Sequence, residues 1–218
     1  MAVKAVIWDY GGVITASPFE AFTRYEAERG LPDGLIRTVN STNPDTNAWA
    51  LFERSEIDAE RFDALFLAES TALGRAVPGR EVLALLSGAV RPRMVEALKA
   101  CKQRFKVGCI TNNMVTPASP GTSEEARRKS GAGEVMPLFD AVIESCKAGV
   151  RKPDPEIYRM MCRMLEVEAG NCVYLDDLGI NCKPAAQLGM RAIKVTSEAQ
   201  ALAELSEATG INFEEELA

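Results

Sequence analysis

Four short stretches set chemically capable side chains beside apolar runs. In "WDYGGV", Asp9 follows the run Val3–Trp8 and is itself followed by Gly11 and Gly12. In "ITNN", Thr111 and Asn112 follow Lys106–Ile110. In "GVRKPDP", Lys152 precedes a helix-like segment, and in "YLDDLGIN", Asp176 and Asp177 follow Cys172–Leu175. Each stretch alone is commonplace. A strand often ends on Asp, Thr-Asn is a frequent turn, and "KPDP" reads equally well as a helix start capped by Asp154. Their joint occurrence in this order, each at a predicted strand end or helix entry, argues for one site. Open α/β sheets bind ligands beyond the carboxyl ends of their strands. The chemistry that suits the set is phosphoryl transfer through an aspartyl-phosphate on Asp9. A carboxylate approaching a phosphate is repelled, so a divalent cation must neutralise charge. Mg²⁺ takes one or two carboxylates plus water and substrate oxygens, and Asp9 and Asp176 are the expected carboxylates. Thr111 supplies a hydroxyl and Lys152 a cation for the phosphoryl group. Asn112 and the backbone N–H groups of Gly11 and Gly12 are further phosphate contacts, since glycine permits close approach. Asp177 is expected one layer out, bonded to the lysine or to a metal-bound water.

The residue inventory removes other chemistries. The chain has no histidine, and its six cysteines form no C-x-x-C pair. That argues against zinc and removes Ser-His-Asp and Cys-His catalysis. The cysteines read as reduced, mostly buried thiols of an intracellular protein. A net charge of −6 argues against a nucleic-acid surface. Hydrophobic residues at 47% and charged residues at 26% are ordinary for a globular chain. The opening run is too short and badly flanked for a signal peptide, and no run approaches eighteen apolar residues. A cytoplasmic location without membrane partners is expected.

The elements that must position these residues alternate. Val3–Trp8, Lys106–Ile110, Ala141–Ile143, Cys172–Leu175 and Arg191–Val195 are short and mostly apolar, as suits a parallel sheet covered on both faces. Helical patterns cover Met94–Arg104, Pro155–Glu166, Ile180–Leu188 and Glu198–Thr209. This predicts an α/β fold, a doubly wound Rossmann-like parallel sheet. One interval interrupts it with helices alone. "SPFE" at 17–20 has the form of a capping box with proline at the first helical position, and that helix should stop at Gly30. A second runs from a cap at Asp58 to a stop at Gly74, with Phe62, Leu65, Phe66 and Leu73 near one face. Residues 15–91 are therefore expected to form a helical cap inserted into a core of 1–14 and 92–218. Trp49 and Phe52 read as packing within the cap. Residues 114–137 read as a loop holding a short polar helix near 123–130.

The chain resembles the haloacid dehalogenase superfamily, whose four motifs are this set. The likeness extends over "AVIWDYGGVI", "ITNN", "VIESCKAGVRKPDPEIY" and "YLDDLGINCKPAAQLGM". Within the superfamily these stretches are similar to the phosphatase-like N-terminal domain of soluble epoxide hydrolases and to the domain fused to some acyl-CoA dehydrogenases. The resemblance implies a Rossmann-like core with an inserted cap, Mg²⁺, and hydrolysis of a small-molecule phosphate ester. It also implies a metal bond from the backbone carbonyl of Gly11. One departure stands out. Phosphatases of the superfamily mostly carry a second Asp at that position as general acid and base, and Gly11 removes it. General acid–base catalysis contributes about 10²- to 10⁴-fold, so slow turnover of poor leaving groups is expected. Glu20, Glu53 and Glu56 of the cap are candidates to replace the acid, though each also reads as a surface helix position. Two alternatives stay open. One is a non-catalytic phosphate- or metabolite-binding protein. The other is a metal-independent dehalogenase, which the "LDD" pair disfavours. No lysine lies between Lys4 and Lys99, which nearly excludes a Schiff-base phosphonatase.

Overall fold

The computed structural model describes residues 2–86, 88–112 and 132–216, apart from the side chains of Glu20 and Ala132. The short polar helix expected near 123–130 lies outside the described residues. Five strands form one sheet: β1 (Ala5–Trp8), β2 (Lys106–Thr111), β3 (Ala141–Glu144), β4 (Cys172–Asp176) and β5 (Arg191–Lys194). All pairings are parallel, in the order β3-β2-β1-β4-β5. The order reverses direction at β1, so the ends of β1 and β4 face the crevice where such sheets bind ligands.

The strands are short and apolar because both faces are covered. In chain order the helices are α1 (Pro18–Glu28), α2 (Leu35–Ser41), α3 (Ala48–Glu53), α4 (Ala59–Ala72), α5 (Gly79–Ala84), α6 (Pro92–Lys102), α7 (Ala132–Val135), α8 (Ser145–Ala148), α9 (Pro155–Leu165), α10 (Gly179–Gln187), α11 (Glu198–Thr209) and α12 (Phe213–Glu216). Val6, Trp8, Val107, Cys109, Val173 and Leu175 pack against Met94 and Leu98 of α6 and Leu202 and Leu205 of α11. On the other face, Ala5, Ile7, Ile110, Cys172 and Tyr174 meet Ile157, Tyr158 and Met161 of α9 and Ala185 of α10. Alternate residues of each strand thus feed two separate cores, as a pleat of period two requires.

Helices α1 to α5 lie between β1 and β2 in sequence and have their own core. Phe22, Phe52, Phe62 and Phe66 are buried in it, with Trp49 packed against them. The Phe52 and Phe62 rings stack with centroids 4.8 Å apart. Truncating Phe62 to alanine removes enough buried surface to cost about 3–5 kcal/mol. Asp58 caps α4, accepting from Arg61 N–H at 2.8 Å. Leu73 departs from the expected stripe. It follows the last turn of α4 and is 42% exposed. The two connections to this helical block run side by side, joined by an antiparallel bridge between Thr15 and Val90. The Ala16 N–H also donates to Ala89 C=O at 2.8 Å.

Candidate active site

Asp9 follows β1 directly, its N–H bonded to Leu175 C=O of β4 at 2.8 Å. The chain then makes one wide turn over Tyr10–Ile14, closed by Thr15 N–H donating to Tyr10 C=O at 3.0 Å. Gly12 holds the turn at φ +76°, and a Cβ there would lie 2.1 Å from Asp177 Oδ2. Glycine is therefore required twice over, by the left-handed backbone and by the carboxylate beside it. Arg91 Nη1 donates to Gly12 C=O at 3.1 Å and fixes the turn from the far side of the insertion.

Lys152 is the centre of the cluster. Its Nζ lies 2.8 Å from Asp9 Oδ1 and 2.7 Å from Asp176 Oδ2, and its side chain is 1% exposed. The loop before α9 delivers it there. Asn112, after β2, accepts from Lys152 N–H at 2.9 Å and donates to Lys152 C=O at 3.0 Å. Asp154 caps α9 through Glu156 N–H. Burial alone would favour a neutral amine, but Asp176 and Asp9 outweigh it and push the pKa of Lys152 up. Asn112, expected to contact phosphate, uses both ends of its amide on the main chain of Lys152.

Asp176, at the end of β4, is enclosed by donors. Its Oδ2 accepts from Tyr174 at 2.5 Å and from Lys152, and its Oδ1 from Leu178 N–H at 2.8 Å. Asn181 Nδ2 bridges both oxygens at 3.0 and 3.1 Å. Burial, with Asp176 adding to it, pushes the Tyr174 phenol far up, so it stays a donor. Asp177 differs. Its Oδ2 accepts from Ser17 at 3.0 Å, the one side-chain donor seen on it among the described residues. Ser17 precedes α1 but makes no capping bond with its side chain. The predicted capping box fails because the hydroxyl turns to a carboxylate 160 residues away.

One carboxylate oxygen from each of Asp9, Asp176 and Asp177 fits within a 4.8 Å group. Three carboxylates against one ammonium leave two negative charges, a donor set that suits one divalent cation. Burial pushes the Asp9 carboxyl well up, Lys152 opposes this, and Asp176 and Asp177 reinforce it. Thr111 is buried at the end of β2, beside β1. Gly11 lies in the turn with open space where a side chain would project.

Of the three glutamates expected to be able to replace the acid, Glu53 is buried, contrary to its reading as a surface position, and the side chain of Glu20 lies outside the described residues. Glu56 is exposed and paired with Arg54. Sequence reasoning did not single out Tyr174, Asn181 or Arg151, and it read Ser17 only as a helix cap. Tyr174 carries a usable signal, since on a strand the residue two before Asp176 shares its face.

The family model for haloacid dehalogenase-like hydrolases matches residues 3–189. The chain belongs to this family. Its relatives include Acyl-CoA dehydrogenase family member 10 of Mus musculus, 30% identical over 95% of this chain and 19% of that protein. Bifunctional epoxide hydrolase 2 of Sus scrofa is 30% identical over 98% of this chain and 40% of its own length. The chain therefore spans less than half the length of these two proteins. Sesquiterpene phosphatase astK of Aspergillus oryzae is 27% identical, over 95% of this chain and 97% of its own. Among solved structures, a HAD family enzyme of Bacteroides thetaiotaomicron in complex with magnesium and inorganic phosphate shares the fold. Its TM-score is 0.60 and identity 16%, covering 90% of this chain and 96% of that one. The chain is thus a HAD-family hydrolase with phosphatases among its relatives. Among the described residues no helix is long and apolar enough to cross a membrane.

Proposed function

We propose that the chain is a Mg²⁺-dependent phosphomonoesterase acting through a phosphorylated Asp9. The observation that carries this is the buried contact of Lys152 with both Asp9 and Asp176, with Asp177 beside them at the switch point of the sheet. Among the described residues, the two hydrogen bonds to the Asp9 side chain, from Tyr10 N–H and Lys152, fall on Oδ1. That leaves Oδ2 as the attacking atom. Oδ2 forms a bond to phosphorus while the phosphorus–ester oxygen bond breaks, and the leaving group departs as an alkoxide or aryloxide that takes its proton from solvent. Water then attacks the phosphorus of the acyl phosphate, the phosphorus–Oδ2 bond breaks, and phosphate is released with the proton of the attacking water passing to solvent, which restores the Asp9 carboxylate. Lys152 and Thr111 hold the phosphoryl oxygens as charge shifts between them. The N–H groups of the glycine turn assist.

Asp9, the Gly11 carbonyl and Asp177 would hold Mg²⁺, which supplies charge neutralisation that lets a carboxylate approach a phosphate. Asp177 replaces Asp176, the carboxylate expected from sequence, because every oxygen of Asp176 already accepts strong hydrogen bonds. In this reading Asp176 serves to anchor Lys152. Residues 15–91 act as a cap over the site, and small organic phosphates are the substrate class. With Gly11 providing no proton, esters with acidic leaving groups turn over fastest. The missing acid also favours a second reading, a protein that binds phosphate esters without hydrolysing them.

Turnover of p-nitrophenyl phosphate with and without Mg²⁺ decides between these, with Asp9→Asn as control. Metal-dependent turnover abolished by Asp9→Asn is expected. Absence of turnover in the native chain, or turnover indifferent to Asp9→Asn, would sink the phosphatase reading. Halide release from a 2-haloacid without metal would point to the dehalogenase alternative instead.

A further inference from the structure

A buried side chain of the inserted helices reaches the segment that carries Lys152. Glu53 ends α3, and its side chain is 7% exposed. Its Oε2 lies 2.7 Å from Arg151 Nε, and its Oε1 accepts from the Trp49 indole at 3.0 Å. Arg151 Nη1 also donates to Pro44 C=O at 3.0 Å. The buried Ser145 hydroxyl of α8 donates to Glu53 C=O at 2.9 Å. Arg151 immediately precedes Lys152, whose main chain is held from the other side by Asn112. Residues 151–152 are thus gripped from the insertion and from the sheet at once.

We propose that Glu53 is a positioning residue for phosphate binding: through Arg151, its carboxylate sets the placement of Lys152, and its protonation loosens that hold. The inference rests on the phosphatase reading for its consequence but not for its geometry. The contact is close yet poorly aligned, for neither Glu53 Oε2 nor Arg151 Nε has a partner in hydrogen-bond geometry. Desolvation is therefore only partly offset. Burial pushes Glu53 up to about 7, opposed first by Arg151, then by the Trp49 bond, Lys152 and Arg54. Other titratable groups nearby are engaged elsewhere. Glu69 of α4, the helix packed on α3, accepts from Ala48 N–H at 2.8 Å. On α8, Lys147 pairs with Glu144, and the Cys146 thiol is pushed up by burial and stays neutral near pH 7. The grip therefore changes within the physiological range.

Glu53→Gln copies the protonated acid at every pH, which makes the test sharp. Trp49 donates to Glu53, so native emission should change with a midpoint near pH 7, and the variant's should not. The ratio of KM for p-nitrophenyl phosphate, variant over native, should be near one at pH 6. It should rise to roughly three- to tenfold at pH 8, with kcat moving less, the scale expected for coupling through a short contact network. Amide exchange over residues 149–154 should be faster in the variant at pH 8 and equal at pH 6. Arg151→Gln should reproduce these effects if Glu53→Gln fails to fold. A KM ratio unchanged between pH 6 and pH 8, or equal exchange at pH 8, overturns the proposal. Loss of turnover in every chain with the exchange difference intact rejects the phosphatase reading and leaves the hold of Glu53 on Lys152 standing.

Discussion

Gly11→Asp should convert a slow site into a faster one, and the backbone already permits it. Gly11 has φ −69° and ψ 132°, a conformation open to any residue. A Cβ built there meets nothing within 4 Å. Replacing glycine at such a compatible position reduces the freedom of the unfolded chain and contributes about 0.4–1 kcal/mol of stability. Charge works the other way. A fourth carboxylate at about 6 Å from another, with an effective dielectric of about 20, is repelled by about 3 kcal/mol. Without metal the variant should therefore be less stable than the native chain, and Mg²⁺ should restore most of the loss. In the reaction, a positioned acid and base is worth about 10²- to 10⁴-fold, or about 3–5 kcal/mol of barrier. That gain should fall on esters that need the leaving oxygen protonated. The assay compares kcat/KM for p-nitrophenyl phosphate and a simple alkyl phosphate, both with Mg²⁺, in native, Gly11→Asp and Gly11→Asn chains. The alkyl ester should gain at least about tenfold more than the aryl ester, and the Asn variant should gain little. Equal gains on both esters, or no gain in a folded Asp variant, would refute the account of what Gly11 removes.

Asp177→Asn should raise the Mg²⁺ concentration for half-maximal rate by about tenfold or more. Asp176→Asn should chiefly destabilise the fold, by about 3–5 kcal/mol, since it takes one partner from a buried charge pair. Metal titrations paired with urea unfolding separate the two, and a reversed pattern would return the metal to Asp176. Tyr174→Phe keeps the ring edge against Tyr158 but removes the 2.5 Å bond to Asp176. A lost hydrogen bond to a buried charge should cost about 1.5–3 kcal/mol, read from urea midpoints. Burial pushes the Glu53 carboxyl up to about 7 from its ordinary 4.5, so between those values the native state binds more protons than the unfolded state. Native stability should therefore fall as pH rises from about 4.5 to 7, by an amount on the order of 3 kcal/mol for a shift of this size. Urea unfolding of Glu53→Gln at pH 5 and pH 8 should lack that slope.

The sheet was legible because each strand is a short apolar run bounded by chemistry. Asp9, Lys152 and Asp176 could be read as neighbours because strand ends in such sheets converge. What could not be read depends on partners distant in sequence. The proposed division of labour between Asp176 and Asp177 is an exception, since it rests on Tyr174 and Asn181, two and five residues from Asp176. Local rules assign Ser17 to a helix cap, yet a tertiary acceptor takes its hydroxyl. Glu53 looks like a surface residue because α3 has only six residues, too few to show a face. Leu73 fits the stripe of α4 by spacing, but the helix ends before it and its side chain is exposed.

The bridge between Thr15 and Val90 has a consequence for how such a chain diversifies. The entrance and exit of the inserted helices stand about one strand spacing apart, roughly 5 Å. A segment that leaves and returns through one doorway can be lengthened, trimmed or exchanged without displacing either strand it interrupts. New specificities can then arise by rewriting the lodger while the hinges, Arg91 on Gly12 among them, keep the house unchanged.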